Sequence, residues 1–162
     1  MSNQWNLLVN EMAKPEVSEY GSVDPAPAED SSRINVLRTT LLDENKMMFK
    51  RMRAVFALRN IRSQQAIDAL CDGFSSKSAL LKHELAYVLG QIQDKHALDT
   101  LVRILDDKNE HVMVRHEAAE AMGAIGDNSI KEVLEKHLQD PLIEISESCE
   151  VALDLLAYYN DR

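Results

Sequence analysis

The sequence predicts an all-α fold: an α-solenoid of about four two-helix repeats preceded by an extended linker. Three observations predict it. The 162 residues are 45% hydrophobic but only 5% aromatic, with 5 Gly and 4 Pro. An interior must therefore be built from Leu, Ala, Ile, Val and Met, a mixture that favours helix. An Ala-Leu-type step recurs at Ala57-Leu58, Val88-Leu89, Ala121-Met122 and Ala152-Leu153, at spacings of 31, 33 and 31 residues. A second pattern recurs between these steps, where Ala66-Ile67-Asp68-Ala69-Leu70, Ala97-Leu98-Asp99-Thr100-Leu101 and Ile130-Lys131-Glu132-Val133-Leu134 echo one another.

Taken in order, residues 1–12 hold Trp5, Leu7, Leu8, Val9 and Met12 and read as a short helical tail. Residues 13–32 carry Pro15, Pro25 and Pro27 with Gly21 and several Ser and acidic residues, the composition of a linker loop. The repeat domain occupies residues 33–162, with helical periodicity from about Ile34 onward. Its units are helix pairs of HEAT-like length, each burying an apolar stripe on its neighbours through Leu58, Leu89, Ile125, Leu134 and Leu153. Asp94 and Asp127 precede two of the first helices and read as N-caps. Cys71 and Cys149 lie within apolar helical patterns and read as reduced core residues. A net charge of −9 argues against nucleic acid or an anionic membrane as a partner. With no leader-like segment and no bilayer-length apolar run, a cytoplasmic setting is the default expectation.

One dipeptide appears twice, His83-Glu84 and His116-Glu117, at the same place in adjacent repeats. Nothing about stacking helices requires a histidine followed by a carboxylate. The equivalent positions hold Met52-Arg53 in the first unit and Glu147-Ser148 in the last, so the fold accepts very different residues there. The slot lies at the start of the second helix, and second helices line the concave face of such solenoids. Adjacent helices are about 9–10 Å apart, a gap that two imidazoles leaning together can close around one ion. Consecutive helical residues point about 100° apart, so a His and the Glu after it do not play identical parts. The expected division is His83, His116 and one glutamate on an ion, the other glutamate reaching toward a second ion or a cationic group. Imidazole and carboxylate without thiolate suit iron, manganese or zinc. The competing reading is surface charge, with each glutamate paired to the preceding Lys82 or Arg115. Arg51, Lys82 and Arg115 share the position before the slot and are expected to brace repeat against repeat. His96, His111 and His137 fall off the slot and are expected to face solvent.

The runs Ser78-Ala79-Leu80-Leu81-Lys82-His83-Glu84-Leu85-Ala86-Tyr87-Val88-Leu89-Gly90-Gln91 and Met113-Val114-Arg115-His116-Glu117-Ala118-Ala119-Glu120-Ala121 closely resemble the deoxyhypusine hydroxylase family, over about residues 20–157. That resemblance implies a di-iron monooxygenase of eight HEAT-like repeats in two similar halves. It implies hydroxylation of the deoxyhypusine side chain on translation initiation factor 5A with molecular oxygen. The family's four His-Glu motifs hold two irons between the halves, about one per half. His83, Glu84, His116 and Glu117 match two of those motifs as metal residues. Ser22-Val23-Asp24-Pro25-Ala26-Pro27 resembles the family's inter-half loop, so the chain resembles the C-terminal half plus that loop. Such a half is expected to need the homologous half or a second copy of this chain, and to be weakly active or inactive alone.

Two further readings stand beside this one. A metal-free HEAT-repeat scaffold would use the same face to bind a protein partner. A HEAT-like chromophore lyase shares the repeat length but gives no reason for the matched His-Glu pairs.

Overall fold

The structure, a computed structural model, describes residues 29–160. The tail expected over 1–12 and the linker expected over 13–32, apart from residues 29–32, lie outside the described residues. A 3-10 turn at Ser31–Arg33, capped by the Asp30 carboxylate on Ser32 N–H, leads into the first helix. Four helix pairs follow: α1 (Ile34–Leu42) with α2 (Met48–Ile61), α3 (Gln64–Asp72) with α4 (Ala79–Ile92), α5 (Leu98–Asp106) with α6 (Val112–Ile125), and α7 (Lys131–His137) with α8 (Ile143–Asn160). No strand occurs among the described residues. The all-α solenoid expected from the repeat spacing is what the chain forms.

Second helices pack in sequence, α2 on α4, α4 on α6 and α6 on α8, while each first helix packs on its own partner. The core runs through these layers as one cluster that includes Leu58, Leu89 and Leu134, each fully buried. Ile125 and Leu153 are only half-buried and pack on its rim. Close approach of second helices depends on small residues. A Cβ on Gly90 would meet Ala121 Cα at 3.0 Å, and one on Gly123 would meet Ala152 Cα at 2.7 Å.

Helix ends are set locally. Ser63 and Ser78 cap α3 and α4 by accepting from Ala66 N–H and Leu81 N–H. Asp94 and Asp127 do cap, but each closes a 3-10 turn (Lys95–Ala97 and Asn128–Ile130) that feeds into α5 or α7. Three second helices, α2, α4 and α6, have the same 14-residue length. Each ends on a left-handed residue, Arg62, Gln93 or Gly126. Equal length with equal ends is what keeps the slot in register from one unit to the next.

The basic residues before the slot act as braces. Arg51 Nε donates to the Leu41 carbonyl at the end of α1, and Arg115 Nε donates to the Leu105 carbonyl near the end of α5. Each then reaches an acid, Arg51 both oxygens of Glu44 and Arg115 the Asp140 carboxylate at 2.7 Å. Lys82 reaches Glu110 in the loop of the next unit. His137 corrects one expectation. It is buried rather than solvent-facing, because the loop between α7 and α8 folds over it. Asp106 and Asp140 lie 2.8 and 3.5 Å from its two nitrogens. His96 and His111 are exposed, the first against Asp68 and the second capping α6 through Nδ1.

Candidate metal centre

α4 and α6 start alike and run side by side, so His83 and His116 come out as neighbours. Their ring centroids are 5.8 Å apart and tilted by 41°. Glu117 stands between them and is largely buried. Its Oε2 lies 3.2 Å from His83 Nε2 and 3.9 Å from His116 Nε2. One donor atom from each of His83, His116 and Glu117 falls within 4.8 Å of the others. Glu84 is not brought into this group. It turns aside, its Oε1 3.6 Å from His83 Nδ1, and remains partly exposed.

The surface-charge reading fails on the pairing pattern, since Lys82 and Arg115 are already engaged by Glu110 and Asp140. Burial pushes the Glu117 carboxyl above its ordinary range; the two histidines pull it down, while Glu120 and Glu84 add to the rise. Three carboxylates thus crowd two imidazoles, an arrangement whose repulsion a cation relieves. His83 Nδ1 is buried and has no hydrogen-bond partner among the described residues. The Nδ1 edge of the ring is therefore not held by a hydrogen bond, while Nε2 faces Glu117. Two imidazole nitrogens and one carboxylate oxygen, with no cysteine in the group among the described residues, fit a divalent transition ion of the iron, manganese or zinc kind.

Two residues passed over in the sequence also touch the site. Ser148, buried on α8 at the slot position of the last unit, has Oγ 3.4 Å from His116 Nδ1. Glu120 has Oε1 3.4 Å from the same nitrogen. Glu120 was discoverable, because it stands four residues after His116 on the same helical face. Ser148 was not, since its contact depends on how α8 packs against α6.

Residues 71–154 match the HEAT repeats family, and residues 50–76 match the PBS lyase HEAT-like repeat. The chain belongs to the HEAT-repeat family. Within that family it is similar to deoxyhypusine hydroxylases, as the paired motifs led one to expect. The protein of that name from Danio rerio is 45% identical over 159 residues, 97% of this chain and 52% of the relative. Deoxyhypusine hydroxylase-B from Oryza sativa subsp. japonica is 49% identical over 143 residues, 88% of this chain and 47% of the relative. A solved structure of human deoxyhypusine hydroxylase in complex with glycerol superposes with a TM-score of 0.84 at 43% identity, covering 94% of this chain and 53% of the human one. This HEAT-repeat chain therefore spans about half the length of the relatives it matches. The complex of CpcE and CpcF of phycocyanin lyase from Nostoc shares the fold alone, at 21% identity and a TM-score of 0.61.

Proposed function

We propose that this chain supplies half of the active site of a deoxyhypusine hydroxylase, with His83, His116 and Glu117 as ligands to one iron. The observation that carries the reading is the convergence of two histidines from adjacent repeats on one buried carboxylate, in a chain 44–49% identical to deoxyhypusine hydroxylases from fish, rice and human. The complete site holds two irons, one per half, and the other half comes from the homologous repeats or from a second copy of this chain. Near-identical halves facing each other imply an approximate two-fold interface that identical chains could reproduce.

Bound iron would supply activation of molecular oxygen, placing one oxygen atom on a substrate carbon while the other leaves as water with electrons from an external reductant. The side chains here do the rest. Glu117, partly withdrawn from water, offers an anionic oxygen to both His faces. Glu84 is free of the ligand group and partly exposed, so it can receive the cationic amine of a deoxyhypusine side chain on translation initiation factor 5A. No helix of the described residues is long and apolar enough to cross a membrane.

The test is iron uptake under anaerobic loading, read as bound metal per chain, with helicity followed in parallel. Wild type is expected to bind about one iron per chain, and His83→Ala or His116→Ala to lose it while staying folded. Offered the modified factor, the chain alone is expected to add little or no oxygen to it by mass. A folded wild type that takes up no iron would rule the reading out.

A further inference from the structure

We propose that Glu120 and Ser148 are positioning residues that hold the Nδ1 edge of His116, turning its Nε2 back toward Glu117 and the ion. This rests on the metal reading above, and it explains how two rings in equivalent slots come to face one point. In the repeat register, a His-slot residue reaches the Glu-slot residue of the next second helix. His83 does so through Nε2, at 3.2 Å from Glu117. His116 reaches the equivalent residue, Ser148, through the opposite edge of its ring, Nδ1 at 3.4 Å. If His116 copied the orientation of His83, its Nε2 would face α8, and the rings would point the same way instead of converging.

The contacts around Nδ1 give the reason. Ser148 Oγ donates to Glu120 Oε1 at 3.1 Å, which leaves the hydroxyl lone pairs to accept. Glu120 Oε1 is itself 3.4 Å from Nδ1. Both oxygens present acceptors to that nitrogen, so the ring proton resides on Nδ1 and the lone pair on Nε2. Which ring nitrogen is free to bind a metal is set by the hydrogen bond the other makes. Ser148 is buried at 6% exposure, and its hydroxyl finds both of its partners in this cluster. His83 lacks the same support, since its four-residue neighbour is Tyr87 and its Nδ1 makes no hydrogen bond among the described residues, with Glu84 Oε1 at 3.6 Å. The last repeat, which carries Glu147-Ser148 where its neighbours carry His-Glu, thus contributes a hydroxyl prop in place of a ligand.

The test uses two readouts on the full chain, wild type against Ser148→Ala and Glu120→Ala. Imidazole nitrogen shifts of the metal-free chain report the tautomer of His116. Anaerobic titration with Co2+, followed by its visible absorption, reports affinity and coordination. Wild type is expected to show the Nδ1–H form, and both variants to shift toward Nε2–H and bind Co2+ about 10–100-fold more weakly with an altered spectrum. A wild type in the Nε2–H form overturns the proposal, as do variants with unchanged tautomer and unchanged Co2+ spectrum. Such results would leave the metal reading intact if wild type still binds Co2+ and His116→Ala does not. A wild type that takes up no Co2+ overturns the metal reading and the positioning role together.

Discussion

At the scale of single residues, the braces and the site follow the same rule: a charged group leaves water only where partners receive it. Arg51 shows the rule at a helix end, with its Nε on a carbonyl and its two outer nitrogens on both oxygens of Glu44. Hydrogen bonds from Arg51, then from Ser76, hold the Glu44 carboxyl at about 2, against an ordinary 4.5. A carboxylate held low in the folded state stabilises it above the unfolded value, and that contribution disappears as pH falls through the folded one. Glu44→Gln is therefore expected to be less stable than wild type above pH 4.5, with the difference shrinking between 4.5 and 2. Urea unfolding of both proteins across that range measures it, and a difference independent of pH would show that the pair contributes nothing as a charge. The sequence disclosed such residues only when they repeated. His83, His116 and Glu117 were legible because one unit could be checked against the next. His137 was misread as solvent-facing because it has no counterpart, and its burial depends on a loop closing over it from outside the repeat pattern. That one glutamate would stand apart from the ligand group followed from the helical step between neighbours, but that it is Glu84 rather than Glu117 did not, since sequence does not say which carboxylate faces the adjacent helix.

Helices of this chain pack at distances that their smallest residues allow. Gly123 is the tightest case, because a methyl group there would stand 2.7 Å from the Ala152 Cα and 2.8 Å from its Cβ, atoms that cannot swing aside. Alanine at an ordinary helix interior position would add about 1 kcal/mol of stability over glycine. Here overpacking is the larger effect, and Gly123→Ala is expected to lower stability by about 1–3 kcal/mol. Thermal or urea unfolding checks the sign; a gain would mean that α6 and α8 can separate freely. The same mutation should weaken metal binding, because Ser148 rides on α8 and its reach to His116 shortens or lengthens with that spacing. At this scale the sequence was most readable. Repeat spacing follows from helix length plus loop length, and both are local properties, so the four pairs and the slot register were open to inspection. Crossing distances between second helices were not, because they arise from residues of different units meeting, as Gly123 meets Ala152.

The whole molecule is a one-dimensional stack, and its stability is approximately a sum of unit terms and interface terms. The candidate ion would sit on one interface only, with His83 on α4 of the second unit and His116 and Glu117 on α6 of the third. Binding to the folded state alone adds stability by mass action, about 2.7 kcal/mol when free metal is a hundred times its dissociation constant. In a stack, that energy is delivered to the α4–α6 contact first and reaches the ends only through neighbouring interfaces. Co2+ or anaerobic Fe2+ is therefore expected to raise the unfolding midpoint of the chain, and a chelator to reverse the rise. Amide hydrogen exchange should slow most along α4 and α6, and least in α1 and α7. His83→Ala should abolish the metal-dependent part, and its metal-free stability, lowered by whatever the Nε2 contact with Glu117 contributes, sets the baseline for the comparison. Protection spread evenly over all four pairs would indicate a stack that opens as one unit. Protection unaffected by metal would remove the ion from this interface, and with it the reason for two His-Glu pairs at matching positions.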